Sequence, residues 1–304
     1  MSYRVLVIGG SYFLGRIFSI FASLAGDMEL TLLNRGRYSM AHLERIRELR
    51  CDRRDVLALD ALPRAEYDAV VDLCAYRPGD IRLTLEHLPG SARRYILVST
   101  ADVYRRSALP RDERAPLLES MGAGAEAEYT YHKRLLEAEL LSVCGERKME
   151  TVILRPAFLY GPYNYAPRES WYIEKIVRGQ PIPVPTDAAG RFQFVFVKDA
   201  AEAILACIRE EKAAGEAYNL SAPEILDYPA FMDTLEAVSD LPFTTRPVTV
   251  EEVLREGIPL PFPLKEAESE LFSGEKLCRE LGISYTPFRE GMEKTYRAFK
   301  SVYL

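Results

Sequence analysis

The sequence predicts an α/β fold: a doubly wound parallel sheet with helices on both faces, followed by a smaller, discontinuous C-terminal lobe. Two patterns predict the sheet. Short runs rich in Val, Ile and Leu alternate with longer amphipathic runs through the first half, the rhythm of repeated βαβ units. The short runs also lack a strict apolar/polar alternation, as strands covered on both faces do. A third observation predicts the second lobe. After "GPYNYAP" the chain becomes proline-punctuated ("PIPVP", "IPLPFP") and its helical stretches shorten. A length of 304 residues with 48% hydrophobic content suits one large domain or two lobes with a sizeable core.

The strands, in order, are "RVLVI" (4–8), "ELTLL" (29–33), "DAVVDLC" (68–74), "RYILVST" (94–100) and "ETVILRP" (150–156). "CDRRD" (51–55) looks like the end of a further strand. Helical patterns lie near 15–25, 40–49, 79–88 and 129–144. "FQFVFV" (192–197), followed by "KDAAEAILACIRE", reads as a return to the sheet and its helical layer. The expected division is therefore a dinucleotide-binding domain over 1–160, rejoined by roughly 192–215, and a substrate lobe over 161–304.

Composition excludes several classes. A net charge of −6 opposes broad electrostatic adhesion to RNA or to anionic membranes. Five scattered cysteines without CxxC or zinc-ligand spacing fit reduced thiols in a cytoplasmic protein. The apolar start is too short for a signal segment, and no run approaches the roughly 20 apolar residues of a membrane span. Three histidines with no carboxylate–histidine cluster point to no metal site.

The first candidate site is "GGSYFLG", between the first strand and the first helix. Gly9 and Gly10 allow a sharp turn, and Gly15 lets helix and strand pack closely. The turn through Ser11, Tyr12, Phe13 and Leu14 can aim backbone N–H groups and the positive helix end at a pyrophosphate. In the G-x-x-G-x-x-G spacing the middle position is Tyr12. A side chain there either narrows the approach to the phosphates or folds over them. The competing reading is a tight turn without a ligand.

The second strand ends "LLNRGR". Asn34 stands where an acidic residue would bind the ribose hydroxyls of NAD, and Arg35 follows, with Arg37 close by. Arginine suits a 2′-phosphate, so NADP is the expected cofactor and NAD the alternative. Asp55 and Val56 are placed to flank the adenine. "YTYHK" puts Tyr129 and Lys133 four apart on one helix face. A tyrosine beside an ammonium and a cationic nicotinamide would titrate below its ordinary pKa and serve acid–base chemistry on a carbinol. "LVSTADVY" brings Ser99 and Thr100 to the carboxyl edge of the sheet, where open α/β sheets bind ligands.

Taken together and in order, "VLVIGGSYFLG", "CDRRDV", "YDAVVDLCAY", "ILVSTADVY", "YTYHK", "VILRPAFLYGP", "FVFVKDAAEAI" and "AYNLSAPE" resemble the extended short-chain dehydrogenase/reductases, the NAD-dependent epimerase/dehydratase family. The resemblance covers essentially the whole chain. "GGSYFLG…LLNRG" further resembles a subgroup that includes chloroplast stem-loop-binding proteins. It implies a Rossmann-type nucleotide lobe with Thr100, Tyr129 and Lys133 as the catalytic set. Tyr129 would be the acid/base, Lys133 would bind the nicotinamide ribose, and Thr100 would orient the substrate hydroxyl. It extends the nucleotide contacts to Leu73, Cys74, Ala75, Ser99 and Pro156. The link "YGPYNYAPRESWY" (160–172) offers Asn164, Arg168 and Trp171 as substrate contacts, with packing on the lobe's own core the favoured reading for Trp171, and Tyr104 and Phe158 are further candidates.

The chain departs from the family in two places. Sugar-nucleotide 4,6-dehydratases carry Thr-Asp-Glu where this sequence has Thr100, Ala101 and Asp102. Elimination needs both an acid and a base, so that chemistry is disfavoured, whereas an epimerase or reductase needs only the Tyr, Lys and Thr set. Epimerases also tend to carry a diphosphate-binding Arg where Phe192 stands here, with Arg191 one residue earlier and on the opposite strand face. The expected activity is an NAD(P)-dependent epimerase or reductase acting on a secondary alcohol or ketone, with a nucleotide sugar as the small-molecule substrate. The rival is a non-catalytic NADP- or RNA-binding protein on the same fold. A homodimer is compatible with either.

Overall fold

The computed structural model describes residues 2–107 and 109–304. The first half supplies β1 (Tyr3–Ile8), α1 (Phe13–Ala25), β2 (Met28–Asn34), β3 (Ile46–Arg50), α2 (Val56–Asp60), β4 (Ala65–Asp72), α3 (Asp80–His87), β5 (Gly90–Val98), α4 (Ala125–Glu146) and β6 (Glu150–Pro156). The second half continues with β7 (Phe158–Tyr160), α5 (Glu169–Val177), β8 (Ile182–Pro185), β9 (Phe194–Phe196), α6 (Val197–Arg209), β10 (Glu216–Leu220) and α7 (Tyr228–Val238). It ends with β11 (Thr245–Val248), α8 (Val250–Glu256), α9 (Glu275–Leu281) and α10 (Phe288–Tyr303).

A seven-stranded parallel sheet in the order β10-β6-β5-β4-β1-β2-β3 forms the centre. Its inner strands are mostly apolar because successive side chains enter two different cores. Val5, Val7, Leu30, Leu32, Val71 and Ile96 face α1 and α6. Leu6, Ile8, Leu33, Val70, Tyr95 and Leu97 face the other way, where Ile81 of α3 and Leu136 and Leu140 of α4 meet them. This period-two division is why β1, β4 and β5 end in unbroken buried runs rather than in alternation. The doubly wound Rossmann-type fold expected from the sequence is therefore the observed one.

Two expectations about elements are corrected. Residues 40–49 are not a helix: 41–44 form turns and Ile46–Arg50 is β3, paired with β2 from Leu30↔Ile46 to Asn34↔Arg50. Leu43, Ile46 and Leu49 mimic a helical stripe, but Arg45 has φ +59, which ends any helix there. Pairing with β2 overrides the local pattern. The strand before "CDRRD" is thus real, and it lies at the sheet edge.

"FQFVFV" does not rejoin the main sheet. Only Phe194–Phe196 is a strand, and it pairs with β7 in a separate two-stranded sheet. Its rings pack with aromatic rings from further along the chain: Phe192 stacks on Phe262 at 4.5 Å and Phe194 on Phe288 at 5.0 Å. The following helix α6 does return, packing beside α1, and the strand that closes the sheet is β10, next to β6. Trp171 packs against Tyr172 at 4.8 Å under the Lys175 ammonium. Among the described residues no helix is long and apolar enough to cross a membrane.

Candidate active site

β1 and β4 are neighbours in the sheet, but the chain leaves them in opposite directions, toward β2 and toward β5. This switch opens a crevice at the carboxyl ends of the strands. A cavity of about 770 Å³ fills it, within the usual size range of small-molecule sites.

The glycine turn forms its floor. Gly9 has φ +91, a conformation that side-chain-bearing residues rarely adopt. At Gly15 a Cβ would lie 2.3 Å from the Gly9 carbonyl oxygen, so only glycine lets α1 start this close to β1. No side chain caps the α1 N-terminus, so its first-turn N–H groups lack the usual side-chain acceptor. Gly9, Ser11, Tyr12, Phe13, Leu14 and Gly15 line the cavity. Gly10 does not: it packs under Leu32 and Val7.

At the β2 end, Asn34 and Arg35 line the cavity with Arg37 and Tyr38. The Asn34 amide oxygen accepts from Gly36 N–H at 2.7 Å, and its NH2 group donates to Glu48 at 3.4 Å. Asn34 therefore shapes the loop that presents Arg35. Arg35 and Arg37 make no ion pair among the described residues. Asp55 and Val56 lie outside the cavity, because Asp55 caps α2 by accepting from Ala58 N–H at 3.0 Å. Its neighbours Asp52, Arg53 and Arg54 line the cavity instead.

Leu73 and Cys74 line the cavity, while Ala75 is fully buried behind them. Beyond β5 the cavity is walled by Ser99, Thr100, Asp102, Tyr129 and Lys133. Lys133 is 1% exposed and donates to the Val98 carbonyl at 2.9 Å. Burial brings its ammonium pKa down to about 8, against the pull of Asp72. Thr100 donates to Asp102 at 2.8 Å, and its oxygen accepts from Asp102 N–H at 3.3 Å. The Ser99 hydroxyl is buried without a partner among the described residues. Tyr129 is 39% exposed, and its ring lies 5.9 Å from the Lys133 ammonium. Desolvation by the cavity walls, then the Asp102 carboxylate, hold its hydroxyl above the ordinary phenol pKa. The lowering expected from Lys133 is thus not supplied by the protein's own charges.

Pro156, Phe158, Asn164 and Arg168 line the far wall. The Arg168 guanidinium lies 4.8 Å over the Phe158 ring. Tyr104 is away from the cavity, 2% exposed, donating to Asn219 at 2.7 Å and accepting from Arg155 at 2.7 Å. That places it in a structural network. Arg191 and Phe192 do not line the cavity either.

The Asn164 amide donates to Glu169 at 2.9 and 3.1 Å, and Gly161 N–H donates to the same carboxylate at 3.1 Å. Burial raises Glu169 from 4.5 to about 7, although these donors favour its charged form. Its folded pKa exceeds the unfolded one, so its stabilising contribution is complete below about pH 4.5 and is lost as pH rises toward 7. Unfolding free energies from urea denaturation between pH 5 and 8 are expected to fall up to pH 7, by about 3 kcal/mol at most from this group. Glu169→Gln should flatten that slope. Parallel slopes for both proteins would remove Glu169 as its source.

Sequence reading missed Tyr38, Tyr76, Arg77 and Tyr165, which also line the cavity. They carry no motif and are brought in by loops after β2, β4 and β7. With these geometries in place, the profile of the NAD dependent epimerase/dehydratase family matches residues 5–221. The chloroplast stem-loop binding protein of 41 kDa b from Arabidopsis thaliana is 30% identical over 239 residues, covering 74% of this chain and only 60% of that protein's length. The epimerase Mth375 from Methanothermobacter thermautotrophicus superposes with a TM-score of 0.80 at 20% identity, covering 99% of this chain and 93% of that one. UDP-glucuronic acid 4-epimerase from Bacillus cereus, solved with UDP-glucuronic acid and NAD, superposes with a TM-score of 0.75 at 18% identity, covering 99% and 100% of the chains.

Proposed function

Because the chain belongs to the NAD-dependent epimerase/dehydratase family, we propose that it is an NAD(P)-dependent epimerase or reductase of a secondary alcohol or ketone, with a nucleotide sugar as its substrate class. One observation carries this reading: Tyr129, Lys133, Thr100 and the unpartnered Ser99 hydroxyl open on the same cavity as the uncapped glycine turn. A pure binding protein has no need of that convergence. The residues fit a dinucleotide: the turn suits a pyrophosphate, and Arg35 and Arg37 are unpaired among the described residues. Arginines in the cavity of a chain with net charge −6 favour an anionic ligand.

The bound nicotinamide would supply hydride acceptance and return. Tyr129 takes the proton of the substrate hydroxyl as the carbon–oxygen bond is oxidised, and gives it back on reduction. The Thr100 hydroxyl would exchange its bond to Asp102 for one donated to the substrate oxygen, fixing that oxygen's direction while its own proton goes to Tyr129. Lys133 stands below with a pKa near working pH. The chain carried through gel filtration, denatured and read by mass spectrometry tests the reading. A retained dinucleotide supports an epimerase. A chain that arrives empty but oxidises added NADPH or NADH with a ketone supports a reductase. No binding of either dinucleotide overturns both.

Cofactor choice follows from the β2 end. Asn34 does not repel a 2′-phosphate, and Arg35 can pair with one. NADP(H) is expected to bind roughly ten- to a hundredfold more tightly than NAD(H), the worth of one charge-assisted contact. Calorimetry of both cofactors with Arg35→Ala should show the gap narrow through weaker NADP(H). Equal affinities in the wild type would refute it. The similarity to a stem-loop binding protein favours RNA binding as a second reading. Salt-sensitive retention on a stem-loop RNA, with no dinucleotide bound, would support it.

A further inference from the structure

Three tyrosines from three separate segments form one stack along the cavity wall. Tyr12 comes from the glycine turn, Tyr38 from the loop after β2, and Tyr165 from the loop between β7 and α5. Tyr12 lies between the others, 5.1 Å from Tyr38 at 8° and 5.3 Å from Tyr165 at 17°. Phe13 meets Tyr165 edge-on at 6.0 Å, and the Arg16 guanidinium sits 4.7 Å over Tyr163. The β7–α5 loop is thus fastened onto the first turn of α1 at two points. Its root is held by Glu169, fully buried and bonded to Gly161 and Asn164.

The backbone is strained at the fastenings. Phe13 has φ +40 and Tyr163 φ +68, and few other non-glycine residues have positive φ. Strain of this kind persists where surrounding contacts enforce it and clusters at clamps and switches. The rings themselves remain partly open to solvent, from 41% at Tyr38 to 62% at Tyr165. They are held mainly by each other rather than by the core. Contacts between exposed rings are weak enough to break on the timescale of loop motion.

We infer that Tyr38, Tyr12 and Tyr165 form a strap that closes the dinucleotide cleft over the glycine turn and must part for the cofactor to enter or leave. The inference rests on the dinucleotide site proposed above. It gives a role to the one side chain that interrupts the glycine pattern: Tyr12 is the middle plate joining the nucleotide side to the second lobe. The rings stack directly on one another, and a strap of this kind gates both directions of exchange. An epimerase that keeps its cofactor through turnover gains from slow exchange, since an escaped reduced cofactor would strand the oxidised intermediate.

The test is stopped-flow fluorescence of NADPH and NADH binding and release with the full chain. Tyr165→Leu removes the outer plate at an exposed position, and Tyr165→Phe keeps the ring. Tyr165→Leu is expected to speed both association and release roughly tenfold, the scale of lost aromatic contacts, with the dissociation constant nearly unchanged. Tyr165→Phe should exchange like the wild type, and Tyr38→Leu, which removes the other outer plate, should behave like Tyr165→Leu. Unchanged rates in both leucine variants overturn the strap. Faster release alone, with proportionally weaker affinity, also overturns it, because the ring would then be a direct contact and not a gate. A wild type that binds neither dinucleotide overturns the site reading and the strap together.

Discussion

Tyr129→Phe is expected to lower turnover by roughly 10²-fold or more, the scale of general acid–base catalysis, while the dinucleotide still binds. Phenylalanine keeps the ring and its place 6.3 Å from Tyr76. Only the hydroxyl is lost, and with it the proton carrier. The size of the loss depends on how well the site prepares that hydroxyl. In the chain by itself the walls and Asp102 hold Tyr129 protonated, so its conversion to a base requires positive charge to arrive nearby. Lys133 is a weak source of it, being desolvated and turned to the Val98 carbonyl. Activity should therefore fall as pH drops below the working range, and Tyr129→Phe should abolish that dependence along with the rate. Dinucleotide affinity by calorimetry, with turnover on any nucleotide sugar that proves to be a substrate, separates the two effects. Unchanged turnover would remove Tyr129 from the chemistry.

The sheet was legible because its strands are buried on both faces and so are written as apolar runs. β3 was only half legible. It is an edge strand with charged residues, and Ile46 and Leu49 at a helical spacing spoke for the wrong element. β9 misled for the opposite reason: "FVF" is as apolar as any core strand, but its partner is β7 and its neighbours are aromatic rings from further along the chain. Within the site, Ser99, Thr100, Tyr129 and Lys133 could be brought to one edge of the sheet from position and spacing, and the glycine turn from its pattern, whereas Leu73, Cys74 and Pro156 came only with the family resemblance. Other loop residues were harder to place. Asp55 was the visible acid after β3, yet its carboxylate caps α2, and the cavity took Arg53 and Arg54. Tyr104 was near the right motif, but its hydroxyl is committed to Asn219 and Arg155. Local sequence does not record which polar atoms are already satisfied, and that decides which are left for a ligand.

Arg53 shows the same point at its strongest, and Arg53→Met is expected to destabilise the chain by about 3–5 kcal/mol. In "CDRRD" nothing sets it apart from its neighbour Arg54. In the structure it is 8% exposed, and one of its terminal nitrogens donates to both oxygens of Asp72 at 2.8 Å. The other donates to the Asp80 carbonyl at 2.8 Å and to Thr84 at 2.9 Å. Asp72 is fully buried at the end of β4. Without Arg53 its carboxylate would keep only the Tyr95 hydroxyl at 2.5 Å and Cys74 N–H at 3.0 Å, leaving a buried charge without its counter-ion. The cost is therefore far above that of an exposed pair such as Arg297 with Glu293, worth about 0–1 kcal/mol. Asp72→Asn added to Arg53→Met removes the stranded charge and should recover part of the loss, which urea denaturation of the two single variants and the double variant reads as a coupling energy. The effect should reach the site. Asp72 holds the backbone of Cys74, and the Cys74 sulfur packs against Gly9, where an added Cβ would come within 3.1 Å of it. Loosening that contact shifts the glycine turn, so Arg53→Met should weaken dinucleotide binding through the turn as well as at Arg53's own place in the cavity lining. Additive losses in the double variant, or single losses no larger than those of an exposed pair, would show that Arg53 is not the counter-ion on which this floor depends.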